Sequence, residues 1–194
     1  MVAESQFMTA SEFAKLPESS TPMELIDGVL IVSPTPAHRH QKLTTRLTYP
    51  LIGIELEGGN GVWISSPLDL YVSPHNVYQP DALLFEAENE PDPDLLPVTE
   101  IPEIVVEVLS PSSRSRDNVR KRVAYAERGI GEYWIVDTQL RRIVFNIADQ
   151  NGTYTSHELD GAIIPVGRYA GVNLDIDWIF AVKTSALNSD STES

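Results

Sequence analysis

A mixed α/β fold is predicted from three observations. The stretch EIVVEVLS (103–110) is short, β-branched and apolar on both faces, as a buried strand is. A helix-patterned segment follows it and leads into a second apolar strand, EYWIVD (132–137). Such a strand–helix–strand unit implies a parallel pair joined by a right-handed crossover. The third observation is a set of hairpins, which place antiparallel strands in the same sheet. With 194 residues and 42% hydrophobic content, one domain over residues 1–183 is expected, followed by a disordered polar tail, residues 184–194.

The elements are justified in order. Residues 9–16, TASEFAKL, read as a short helix opened by Thr9 or Ser11 as its cap. MELIDGVLIVSP reads as an added N-terminal hairpin, with Asp27-Gly28 as the turn between two apolar runs. From about Ala37 to Leu56, Leu43, Leu47, Leu51, Ile54 and Leu56 fall near helical spacing, and Pro50 is expected to kink or divide the helix. GVWISS, PLDLYVS and VYQPDALLFE read as three strands, and the proline- and acid-rich EAENEPDPDLLPVTE as a loop. A helix from about Ser115 to Arg128 is stopped by Gly129. RRIVFNI forms a hairpin with EYWIVD, TYTSHEL adds a strand, and VNLDIDWIF closes the fold as a strand or helical turn.

Composition narrows the function. There is no cysteine, which removes thiol nucleophiles and zinc-thiolate sites. The histidines His38, His75 and His157 lack metal-ligand spacing. No stretch approaches the roughly 18 apolar residues of a membrane span, and the N-terminus has no signal-peptide pattern, so a cytoplasmic protein is expected. The net charge of −14 argues against a general nucleic-acid coat. Yet eight of the 14 basic residues lie between Arg114 and Arg142, against four acids, leaving a local basic patch suited to phosphate.

Two acids stand where acids are costly. Glu107 is embedded in EIVVEVLS, and Asp81 interrupts VYQPDALLF. A buried carboxylate must be protonated, paired with a cation such as arginine, or bound to a metal. Side chains alternate along a strand, so Asp81 points with Gln79 and Leu83, and Glu107 with Val105 and Leu109. If the two strands are neighbours, their carboxylates converge. Hard oxygen ligands without His or Cys suit Mg²⁺ or Mn²⁺. On the following helix, Arg114, Asp117, Lys121, Tyr125 and Arg128 form one stripe, and Val119, Val123 and Ala126 another. Lys121 can then be held over the strand ends to orient water or stabilise transition-state charge. Asp69, in PLDLYV, reads most simply as an outward strand residue.

The Pro80-Asp81 pair, followed 26 positions later by Glu107 in EVLSPSS, resembles the signature of the PD-(D/E)XK restriction-endonuclease-like superfamily. More narrowly, the chain resembles the bacterial Uma family of restriction endonucleases. The likeness rests on MELIDG, His40-Gln41 opening a helix, QPDALLF, EVLSPSSRSRD, and a Lys121-bearing helix running into GIGEYWIVD, over roughly residues 10–180. The resemblance implies a restriction-endonuclease-like α/β core with a central mixed sheet flanked by helices, a divalent metal, and hydrolysis of a phosphodiester. It matches Asp81 and Glu107 to metal ligands, Lys121 to the catalytic lysine, and Glu24 to a third acid; His40 and Gln79 join the cleft. One departure is plain: the lysine expected two residues after the glutamate is Leu109 here, and Lys121 is the position that replaces it.

Three functions follow as alternatives. The first is a Mg²⁺- or Mn²⁺-dependent endonuclease acting on DNA, as a homodimer because symmetric duplexes suit symmetric proteins. The second is an inactive nuclease-fold module that binds nucleic acid or protein, consistent with the acidic net charge and Leu109. The third is a glycosidase using two carboxylates, for which aromatic residues near either acid are few.

Overall fold

The computed structural model describes residues 7–17, 19–56, 60–109, 117–159, 161–166, 169 and 171–181. The tail from residue 184, and residues 110–116 of EVLSPSSRSRD with the expected start of the helix, lie outside these residues.

The chain opens with α1 (Ala10–Phe13), capped by Thr9, whose hydroxyl oxygen accepts from the Glu12 amide while the Glu12 carboxylate accepts from the Thr9 amide. The hairpin β1 (Met23–Ile26) and β2 (Val29–Val32) turns at Asp27 (φ 48°) and Gly28 (φ 77°), the paired positive angles of a tight hairpin turn. Helix α2 (His38–Leu56) buries Leu43, Leu47 and Leu51 along one stripe. Pro50 does not divide it: the helix runs unbroken to Leu56. The stripe packed on the sheet lies on both sides of the proline, and packing of this kind, more than propensity, stabilises helices.

Next come β3 (Gly61–Ser65), β4 (Leu70–Ser73), β5 (Asn76–Tyr78) and β6 (Ala82–Glu86). The segment VYQPDALLFE, expected as one strand, is thus two. Pro80 has no N–H to give to a ladder, so pairing stops before it and restarts in a different sheet. Strand β7 (Ile104–Leu109), α3 (Asp117–Arg128) and β8 (Glu132–Asp137) form the expected crossover, with β7 and β8 parallel. Strands β9 (Arg142–Ala148) and β10 (Tyr154–Glu158) complete the meander. The C-terminal part holds β11 (Ile163–Pro165), absent from the sequence reading, then β12 (Asn173–Asp175) and α4 (Ile176–Phe180). VNLDIDWIF is therefore both strand and helix.

The central sheet is mixed and six-stranded, ordered β10-β9-β8-β7-β6-β3. A four-stranded antiparallel sheet, β2-β1-β5-β4, carries the hairpin. One face of the central sheet packs with α2 and α4 around Val106, Trp134 and Phe180. The other packs Leu83, Val105 and Tyr133 against Tyr125 of α3 and Tyr78 of β5. On α3 the charged stripe turns inward: Lys121 and Tyr125 are buried, while Val119 and Val123 are 66% and 49% exposed. Glu107 lies on β7, inside the sheet, and Asp81 lies just before β6, its antiparallel neighbour, which brings the two acids to the same end of the pair.

Candidate active site

Beyond the Ala82–Val106 pair of the antiparallel β6–β7 ladder, the next residues out are Asp81 and Glu107. The Asp81 amide donates to the Val106 carbonyl at 3.0 Å, and the Val108 amide donates to Asp81 Oδ2 at 2.7 Å. This fixes the Asp81 carboxylate against the β7 backbone. Glu107 reaches Lys121 and Tyr125 on the α3 side of the sheet, and both acids line one cleft of about 920 Å³.

Lys121 arrives from α3. Its Nζ donates to Glu107 Oε1 and to Glu24 Oε1 of β1, each at 2.8 Å. Glu24 Oε1 also accepts from the Gln79 amide at 2.9 Å, and Gln79 Nε2 donates to Asp69 Oδ1 at 2.7 Å. Asp69 is therefore not an outward strand residue; it faces inward, and burial pushes its carboxyl above the usual range. Tyr125, one helical turn after Lys121, donates its hydroxyl to Glu107 Oε1 at 2.9 Å. The Tyr78 ring lies 5.3 Å from the Lys121 ammonium, within cation–π range. Two bonds thus load Glu107 Oε1, whereas Oε2 has no partner among the described residues.

His40, on the first turn of α2, approaches from the other side. Its Nε2 is 3.2 Å from Asp81 Oδ1 and 3.2 Å from the Val108 carbonyl oxygen. Both neighbours accept, so Nε2 carries a proton and donates. His40 Nδ1 is buried without a partner among the described residues.

The electrostatics follow from a charge imbalance. Glu24 and Glu107 share the one Lys121 ammonium, and Asp81 lies against His40 instead. Burial, with the neighbouring acids, pushes Glu107 up to about 7 even against Lys121. Burial works to discharge Lys121, but Glu107 and Glu24 outweigh it and hold it above the ordinary lysine range. For His40 burial also favours the neutral form, and the bond and charge of Asp81 overcome it, raising the imidazole. With Glu107 ionised and His40 neutral, the described groups of the cluster sum to two negative charges, which a divalent cation would neutralise. Hard carboxylate oxygens are the donors Mg²⁺ and Mn²⁺ favour, so the residues fit such an ion. Among the described residues no group of three His, Cys, Asp or Glu is placed to hold a metal alone; two carboxylates leave positions for water and substrate oxygen.

All six residues singled out in sequence, Asp81, Glu107, Lys121, Glu24, His40 and Gln79, thus line this one cleft. Sequence reading did not single out Tyr125 as a site group, although its place four residues after Lys121 was the available signal. It also passed over the Val108 peptide group and read Asp69 as outward, where the structure turns it toward Gln79.

The chain matches the family Uma2, described as "Putative restriction endonuclease", over residues 10–177. Among solved structures it is similar to a protein from Anabaena variabilis ATCC 29413 described as "a putative nuclease belonging to DUF820". The TM-score is 0.74 at 22% identity, covering 89% of this chain and 97% of that one. The type IIG restriction endonuclease BpuSI matches with TM-score 0.40 and 16% identity, over 71% of this chain and 15% of that chain. No curated protein matches. The fold is the restriction-endonuclease-like α/β arrangement, and the chain belongs to the Uma2 family.

Proposed function

We propose that this protein is a divalent-metal-dependent endonuclease that hydrolyses phosphodiester bonds in DNA. The observation that carries the reading is the meeting of Asp81, Glu107 and Lys121 in one cleft, where carboxylates outnumber the ammonium. Asp81 and Glu107 would hold Mg²⁺ or Mn²⁺. The ion, when bound, supplies Lewis acidity toward phosphorus and activation of water.

The chain's own residues supply the rest. Lys121, kept protonated by two carboxylates, is a poor base and a good electrostatic partner for the charge that grows on phosphate oxygens. Tyr125 and Lys121 fix Glu107 through Oε1 and present Oε2. Glu24, tied to the Gln79 amide, sets the position of the ammonium from the opposite side. His40 holds Asp81 Oδ1.

The test is cleavage of plasmid and oligonucleotide DNA with Mg²⁺ or Mn²⁺, against EDTA. Asp81→Asn and Glu107→Gln are each expected to lower the rate by roughly 10²–10³-fold or more, the scale of losing one preorganised electrostatic group. Unchanged cleavage in both variants would remove the proposal. An inactive module binding nucleic acid or protein is the second reading, favoured by Leu109 in place of the usual lysine; it predicts no Mg²⁺ or Mn²⁺ uptake in calorimetry. Pairing of two copies belongs to the same proposal. It is supported by β2, an edge of its sheet among the described residues, whose Leu30 and Val32 alternate away from the cleft and are exposed, and sedimentation velocity reads it. Action in the cytoplasm is proposed with it.

A further inference from the structure

We infer that the cleft takes single-stranded DNA, with bases and sugars against β2 and phosphates at Arg39 and Arg120; this rests on the nuclease reading and names its substrate. The first support is enclosure. The side chains of Asp81 and Glu107 are only 16% and 13% exposed, at the floor of a cleft of about 920 Å³. That size is the upper end of the range, roughly 300–1,000 Å³, in which pockets wrap small ligands. A duplex is a stiff cylinder that keeps its phosphates on its outside and its bases stacked within. An unpaired strand can fold one or two nucleotides into such a space.

The wall chemistry is the second support. Phe7, Val29 and Ile31 line the cleft and are 61%, 49% and 39% exposed. Apolar side chains gathered at a charged site gain from contact with the faces of unstacked bases. The sugar–phosphate rim of a duplex offers them little.

The cations are the third. Arg120, from α3, meets Asp27 at the β1–β2 turn at 3.4 Å, with both side chains about 60% exposed. An exposed ion pair is weak and salt-screened, so a phosphate can take the place of Asp27. Arg39, on α2, gives one Nη2 bond to the Thr138 carbonyl after β8 and keeps further N–H donors for an incoming phosphate. Both arginines line the cleft that holds the acids. The chain as a whole carries a net charge of −14, so a polyanion is drawn only to places where cations gather, of which the rim with Arg39 and Arg120 is one.

Fluorescence anisotropy of the full chain in Ca²⁺ buffer tests the idea, using a labelled single strand of about 12 nucleotides and a hairpin duplex of the same sequence. The variants are Arg39→Gln with Arg120→Gln, and Val29→Ser with Ile31→Ser; all four side chains are exposed, so the fold is expected to stand. The wild type is expected to bind the single strand about 10-fold or more tighter than the hairpin. The arginine pair should lose about 10-fold, and its log–log salt slope should become shallower by about 1.4. The β2 pair should lose roughly 5–10-fold with the slope unchanged. Duplex binding as tight as single-strand binding, or unchanged affinity in both variant pairs, overturns the inference and leaves the nuclease reading in place. Binding of neither DNA counts against the nuclease reading itself, and the inference falls with it.

Discussion

One ammonium group, that of Lys121, stands between two buried carboxylates at 2.8 Å from each. Its removal leaves Glu24 and Glu107 facing one another without compensation. Lys121→Met is therefore expected to destabilise the metal-free protein by about 3–5 kcal/mol, the usual cost of breaking a buried pair by deleting one partner. Millimolar Mg²⁺ should restore part of that stability, because an ion that binds only the folded state adds to it. Urea unfolding with EDTA and with Mg²⁺ measures both; a loss below about 1 kcal/mol would show the network to be far more solvated than its burial indicates. At this scale the sequence showed much. Glu107 was legible because a lone acid in an apolar strand is conspicuous, and Lys121 because the family resemblance moves the lysine from the strand to the helix that follows it. Asp69 was misread: alternation says which side of a strand a residue takes, and Asp69 precedes β4 rather than belonging to it.

The hairpin β1–β2 is the element that closes the site, since it delivers Glu24 to Lys121 and Val29 and Ile31 to the cleft. Its turn depends on Gly28 twice over. The residue has φ 77°, and a Cβ there would lie 2.7 Å from the Phe7 Cβ and 3.3 Å from the Met8 carbonyl oxygen. Gly28→Ala should cost about 1–3 kcal/mol, from backbone strain and displacement of the Phe7 segment. It should also slow cleavage, because Glu24 sits four residues before Gly28. Thermal unfolding together with the cleavage rate checks this, and a variant as stable as the wild type would refute the steric account. The Asp27-Gly28 pair announced the turn in sequence. The break between β5 and β6 was announced too, by Pro80, yet the apolar run across it disguised a change of sheet. That change frees Asp81 from the interior of a strand and sets it beside Glu107.

For the whole molecule the surplus of negative charge is the governing quantity, at the site as over the surface. Glu107, raised from 4.5 to about 7, binds its proton more tightly folded than unfolded. Its contribution to stability is thus fully present below about pH 4.5 and is lost as pH rises through about 7. His40, also raised, adds a loss of the same sign above its ordinary value of 6.5. Melting temperatures in EDTA should accordingly fall between pH 5 and 7.5, Glu107→Gln should flatten part of that fall, and Mg²⁺ should oppose it by favouring the ionised carboxylate. An identical pH profile for wild type and Glu107→Gln would contradict the assignment. The sequence by itself determined the crossover β7–α3–β8, the hairpins, the acids and the lysine, because period, turn chemistry and misplaced charge are local properties of the chain. Only the tertiary structure decided that Glu24 and Tyr125 share the Lys121–Glu107 network, that α3 turns its charged stripe inward and leaves Val119 and Val123 in water, and that β2 walls the cleft. Those outcomes depend on which sheet each strand joins, and strand pairing is set by contacts between residues far apart in the chain, where no short pattern reaches.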